Sequence, residues 1–181
     1  MSFYNMCNKI IFLDIDGVIN STRTCAAYKN LSGAYFAKMK RGTDEFRAEF
    51  DPIAVRLIEN LVIEANAKIV ISSSWRAVFS LDELQEMFHR EYNWPSAEGE
   101  YIIDVTPEFP RSSRGAEIQH WIDNNTVGIP NFRYIIIDDG YDFLDNHFTR
   151  LIQTDPYEGF LVKDYNRALE LFDLPVKEYM L

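Results

Sequence analysis

Asp14 and Asp16 stand at the end of an apolar run, Lys9-Ile10-Ile11-Phe12-Leu13, and are followed at once by Gly17. Near-continuous hydrophobicity marks a strand buried on both faces, and ligands of open α/β sheets bind outside the carboxyl ends of such strands. The two carboxylates are therefore placed for chemistry. A second run, Lys68–Ile71, ends in Ser72-Ser73-Ser74-Trp75-Arg76, and a third, Phe132–Ile137, ends in Asp138-Asp139-Gly140. In a parallel sheet these ends share one edge. Carboxylates from separate strands then converge on one hard cation, and an all-oxygen site suits Mg²⁺, which keeps several waters and accepts phosphate oxygens. A carboxylate beside such an ion attacks phosphorus while a second protonates the leaving oxygen. The Arg114 guanidinium and the Ser72 hydroxyl would hold the phosphoryl oxygens as charge shifts.

Taken one at a time, these pieces have plainer readings. An isolated pair of aspartates two residues apart fits a turn, or the metal site of a nucleotide-sugar transferase, as well as hydrolysis. Asp139-Gly140 alone reads as a tight turn, because Asp-Gly favours positive φ. Ser72–Ser74 alone read as loop residues. Their order after successive strands argues for a joint site. Trp75 reads as packing, with a substrate ring as its other role; Arg76 serves a substrate or pairs with a surface acid. His89, His120 and His147 share no motif and read as ordinary histidines.

The elements that must position these groups alternate between strand and helix. Asp51-Pro52 is a helix start, with Asp as N-cap and Pro at the first helical position; Ile53, Val55, Leu57, Ile58, Leu61, Val62 and Ile63 form the expected apolar face. Helices are expected near 81–92, from Arg114 onward with Ser112 or Ser113 as cap, and near 161–172. Further strands are expected at Tyr101–Val105 and Leu151–Thr154. Such alternation predicts βαβ units in a three-layer α/β/α, Rossmann-like parallel sheet with right-handed crossovers. No internal repeat or second domain is evident, so residues 1–181 form one domain.

Residues 20–50 lack clear periodicity and carry six basic side chains (Arg23, Lys29, Lys38, Lys40, Arg41, Arg47) against three acidic ones, in a chain whose net charge is -10. This excursion beside the paired aspartates reads equally as a solvated loop or as a small cap that steers anionic substrates. The acidic remainder disfavours a general nucleic-acid binder. The hydrophobic content of 47% excludes a disordered chain. Cys7 and Cys25 form neither a metal pattern nor a disulfide scaffold. There is no signal-peptide pattern and no run near the ~20 apolar residues of a membrane helix. A cytoplasmic protein with no membrane association and no obligate protein partner is expected.

The set resembles the haloacid dehalogenase-like (HAD) superfamily from about Lys9 to about Phe172: Phe12-Leu13-Asp14-Ile15-Asp16-Gly17-Val18, Val70-Ile71-Ser72, a basic residue opening a helix at Arg114, and Ile135-Ile136-Ile137-Asp138-Asp139. More narrowly, Leu13–Asn20, Ser72–Arg76 and Arg114-Gly115-x-Glu117-Ile118 resemble the HAD domains of Swiss-army-knife RNA-repair proteins. The superfamily implies Asp14 as the nucleophile that forms an aspartyl-phosphate and Asp16 as general acid/base. It implies Ser72 and Arg114 as phosphoryl ligands, and Mg²⁺ held by Asp14, the Asp16 main-chain carbonyl and Asp139, with Asp138 in support; Ser73 and Arg76 are expected as further substrate-binding residues. Most HAD enzymes place lysine where this chain has Arg114, or Arg111 if the register slips; arginine still grips phosphate, as a fork.

These readings predict a Mg²⁺-dependent phosphatase acting on a phosphomonoester, with a nucleotide or nucleic-acid terminal phosphate favoured over a sugar phosphate or phosphoprotein. A phosphotransferase using the same intermediate and a non-catalytic phosphate-binding module are the alternatives.

Overall fold

The computed structural model describes residues 8–27, 50–95 and 100–178. Among them, β1 (Lys9–Leu13), β2 (Lys68–Ile71), β3 (Ile102–Val105), β4 (Arg133–Asp138) and β5 (Leu151–Gln153) form one parallel sheet in the order β3-β2-β1-β4-β5. The helices are α1 (Thr22–Ala27), α2 (Pro52–Ala65), α3 (Leu81–Tyr92), α4 (Arg114–Asn125) and α5 (Val162–Leu171). Each strand sends alternate side chains to opposite faces. Ile11, Leu13, Ile69, Ile71, Ile135 and Ile137 pack under α2, α3 and α5. Ile10, Phe12, Val70 and Ile136 pack under Ile118 and Trp121 of α4. The sheet is covered on both faces, as its unbroken apolar strands require.

The strand order turns back between β1 and β4: β1, β2 and β3 step one way, then β4 and β5 the other. Such a reversal opens a crevice at the carboxyl edge, and Asp14 and Asp138 lie on its two sides.

Local chemistry sets the boundaries. Asp51 caps α2 by accepting hydrogen bonds from the Ile53 and Ala54 amides, with Pro52 opening the helix. Ser80 and Glu83 form a reciprocal capping box on α3. Ser113, rather than Ser112, caps α4 through the Ala116 amide. The α2 face is narrower than its sequence suggests, because Ile53 and Ile63 are exposed while Val55, Leu57, Ile58, Leu61 and Val62 are buried. At about 100° per residue those two fall outside the stripe, and the end positions of an apolar run carry little phase information. Strand β3 begins one residue later than expected, although Tyr101 still accepts from the Ile69 amide.

The first turn of the 20–50 excursion is α1, joined to the body by Arg23, which pairs with Asp51 at 2.7 Å. Residues 28–49, where most of the expected cap falls, and Cys7 lie outside the described residues. No helix among the described residues is long and apolar enough to cross a membrane.

Candidate active site

The sheet ladder runs one residue past its strands. The Thr106 amide donates to Ile71, Ser72 to Leu13, Asp14 to Ile137 and Thr154 to Asp138, each at 2.9–3.0 Å. These backbone bonds align Thr106, Ser72, Asp14 and Thr154 along the carboxyl edge and fix where the side chains emerge. The chain then coils into a turn, with the Val18, Ile19 and Asn20 amides all donating to the Ile15 carbonyl. Gly17 takes φ +73°, and a Cβ there would lie 2.3 Å from Asp139 Oδ2. Only glycine allows that conformation without strain and lets the loop after β1 close against the loop after β4. Thr154 Oγ1 donates to the Gly17 carbonyl at 2.9 Å and pins the contact.

Asp14 is buried. Its Oδ1 accepts from the Ile15 amide at 2.8 Å, and its Oδ2 lies 2.6 Å from Arg114 Nη1. The same nitrogen lies 2.5 Å from Asp138 Oδ2, while Asp138 Oδ1 accepts from the Gly140 amide at 2.8 Å. Arg114 reaches both from the first residue of α4, where the Asp142 carboxylate accepts from its amide at 3.0 Å. A Cβ at Gly115 would fall 2.6 Å from the Leu144 amide nitrogen, so this glycine lets the start of α4 meet the loop after β4. Arg111 lies exposed in the preceding loop with φ +63°. Of the two arginines, the geometry places Arg114 on the aspartates.

Asp14, Asp138 and Asp139 each offer a carboxylate oxygen, all within 4.8 Å of one another. Burial, followed by the charge of Asp14, pushes the Asp138 carboxyl up to about 7, and the same two causes raise Asp139. Burial alone would pull Arg114 down, but the charges of Asp14 and Asp138 outweigh it and hold the guanidinium above its ordinary range. Crowded, desolvated carboxylates of this kind form a site that a divalent cation relieves.

The Asp16 side chain stands apart from that group. Asn20 Nδ2 donates to its Oδ1 at 2.7 Å and Trp75 Nε1 to its Oδ2 at 2.9 Å. Burial raises its carboxyl, and the two donated hydrogen bonds partly offset the rise. Ser72 is fully buried, and its Oγ has no hydrogen-bond partner among the described residues. Leaving a buried hydroxyl unpaired is unfavourable, so it is suited to an incoming acceptor. Ser73 caps the 3₁₀ turn Ser74–Ala77 by accepting from the Trp75 amide at 3.3 Å. Arg76 Nη1 donates to the Ser72 carbonyl at 2.7 Å and the Ser73 carbonyl at 2.5 Å, and Nη2 pairs with buried Glu117 of α4. Its guanidinium braces the loop that presents Ser72.

Three contributors went unassigned in the sequence. Asn20 was visible within the first motif, but its bond to Asp16 depends on the coil of the turn. Trp75 was read for packing, and its indole N–H on Asp16 spans 59 residues of chain. Glu117 lay inside the Arg114-Gly115-x-Glu117-Ile118 wording without a role. For each, the available signal was a side chain able to hydrogen-bond inside one of the motif stretches.

The family model described as the HAD domain in Swiss Army Knife RNA repair proteins matches residues 10–165. Searches of curated proteins and of solved structures find no match for the chain. With the model spanning most of its length, the chain belongs to this HAD family, whose chemistry is of the phosphatase type.

Proposed function

We propose that this member of the HAD family is a Mg²⁺-dependent phosphatase that hydrolyses a phosphomonoester through an aspartyl-phosphate on Asp14. The observation that carries the reading is Arg114 Nη1 at 2.6 Å from Asp14, with the unpartnered Ser72 hydroxyl at the end of the adjacent strand. A nucleophile, a fixed cation and an unpaired hydroxyl donor are groups that serve a phosphoryl transfer around phosphorus.

In the first half-reaction an Asp14 carboxylate oxygen forms a bond to phosphorus while the bond from phosphorus to the ester oxygen breaks. Asp16 gives its proton to the departing oxygen, and the alcohol leaves. In the second, Asp16 takes a proton from water as the water oxygen bonds to phosphorus; the Asp14–phosphorus bond breaks and inorganic phosphate is released. Ser72 and Arg114 hold the phosphoryl oxygens throughout, and Arg76 keeps the Ser72 loop in place. The donors at hand are all hard oxygens, which fit Mg²⁺. Asp14 and Asp139, with the Asp16 main-chain carbonyl, would hold the ion, supported by Asp138; when bound it neutralises phosphoryl charge.

For the substrate, the family description, with its reference to RNA repair, supports a nucleotide or a nucleic-acid terminal phosphate. The net charge of -10 supports a single terminal group over a long polyanion. The test is phosphate release from nucleotides, 3′- and 5′-phosphorylated oligonucleotides and sugar phosphates, with and without Mg²⁺, for wild type and Asp14→Asn. Turnover that needs Mg²⁺ and falls by at least about 10³-fold in Asp14→Asn is expected. Activity undiminished by that substitution refutes the covalent mechanism. Phosphate binding without turnover on any substrate supports a binding module instead.

A further inference from the structure

Asp16 carries one donor on each carboxylate oxygen, and the two donors come from different parts of the chain. Asn20 arrives from the turn after β1, and Trp75 from the 3₁₀ turn after β2. We infer that Trp75 is a positioning residue for Asp16: its indole N–H fixes the acid/base carboxylate in register with the phosphoryl site, an assignment that rests on the phosphatase reading above.

The indole has no freedom to swing. Trp75 is fully buried, with its ring 5.5 Å from Phe50 and 5.5 Å from Phe79, centroid to centroid. Phe50 is itself held, since the Tyr92 hydroxyl accepts from its amide at 2.8 Å. Two residues before Trp75, Ser73 caps the turn, and the residue before that is Ser72. One short rigid segment therefore delivers the phosphoryl hydroxyl at one end and the acid/base tether at the other, while Arg76 ties its carbonyls to α4 through Glu117.

The tether matters because other forces act on Asp16. Asp14 repels its carboxylate and Arg114 attracts it. Each of the hydrogen bonds from Trp75 and Asn20 outweighs either of these. Held by Trp75 and Asn20, it stays outside the group formed by Asp14, Asp138 and Asp139. A carboxylate oxygen has two lone pairs, so one donor on each leaves a position on both for the transferred proton.

The experiment compares Trp75→Phe, which keeps an aromatic ring but removes the N–H together with part of the indole volume, with wild type on two substrates. One is p-nitrophenyl phosphate, whose phenolate leaves without protonation; the other is a nucleoside 5′-monophosphate, whose alkoxide needs the proton. A misplaced general acid lowers kcat/KM more for the second. We expect the loss on the nucleotide to exceed the loss on the aryl phosphate by about tenfold. Asn20→Ala, which frees the other oxygen, gives the same asymmetry and decides the matter if Trp75→Phe does not fold. Equal losses on both substrates, or no loss on either, overturn the positioning role alone. A wild type inactive on these two substrates and on the phosphorylated oligonucleotides and sugar phosphates overturns the phosphatase reading and this inference together.

Discussion

Gly17→Ala tests how the loops after β1 and β4 share space. At φ +73° an alanine meets a local penalty of about 1–2 kcal/mol. Its Cβ would also lie 2.3 Å from Asp139 Oδ2 and 2.4 Å from its Cγ, far inside contact distance. The Gly17 carbonyl is pinned by Thr154, so the half-buried Asp139 side chain is the part that gives way. The expected result is a thermal midpoint lowered by about 3–6 °C and, separately, weaker divalent binding as Asp139 leaves Asp14 and Asp138. Loss of one carboxylate from such a site weakens the metal by at least about tenfold. The assay is thermal unfolding across a Mg²⁺ titration, since a ligand that binds only the native state raises its stability in proportion to the logarithm of its concentration. A double cycle with Asp139→Ala separates the two effects: in that background Gly17→Ala retains the backbone penalty and has little further effect on Mg²⁺. A Gly17→Ala protein that melts with wild type and binds Mg²⁺ as tightly refutes the claim that this glycine makes room for Asp139.

Arg76→Met leaves Glu117 buried without its cation and frees the carbonyls of Ser72 and Ser73; a loss of about 3–5 kcal/mol in urea denaturation is expected, much of it recovered by adding Glu117→Leu, and a near-neutral single substitution refutes the bracing role. His147 is fully buried, its Nε2 on Gln119 Oε1 at 3.2 Å and its Nδ1 without a partner among the described residues. Burial lowers its imidazole below the ordinary 6.5, so the unfolded chain takes up the proton first. Its contribution is complete above about 6.5 and is lost as pH falls below that value, by at most about 1.4 kcal/mol per pH unit. Comparing urea midpoints at pH 7.5 and 5.5 should therefore give a smaller drop in His147→Gln than in wild type; equal drops refute the assignment.

Much of the fold was legible because its signals are local. The runs Lys68–Ile71 and Leu81–Tyr92 have the bounds that their apolar spacing predicts, and Asp51-Pro52 caps and opens α2 as those residue types dictate. The site was legible in part for the same reason: Asp14, Ser72 and Asp138 each follow or end an apolar run, and a parallel sheet brings such ends to one edge. What was not legible involves contacts between distant segments. The exposure of Ile53 and Ile63 depends on where α5 and the sheet meet α2. The engagement of Arg114 rather than Arg111 depends on α4 beginning at Arg114 behind its Ser113 cap, which turns one arginine into the crevice and leaves the other in a left-handed loop conformation.

The sequence by itself determined that two aspartates end a buried strand, that a serine and a further acidic pair end others, and hence that these groups meet at the carboxyl edge of a parallel sheet. Hydrophobic period and capping chemistry act over a few residues and can be read without coordinates. Only the tertiary structure decided how the carboxylates are grouped. Asp14, Asp138 and Asp139 gather around Arg114, while Asp16 is drawn aside by Asn20 and by an indole 59 residues away. That division depends on which donors reach which oxygens, and donor geometry exists only once β1, β2, β4 and α4 are packed together.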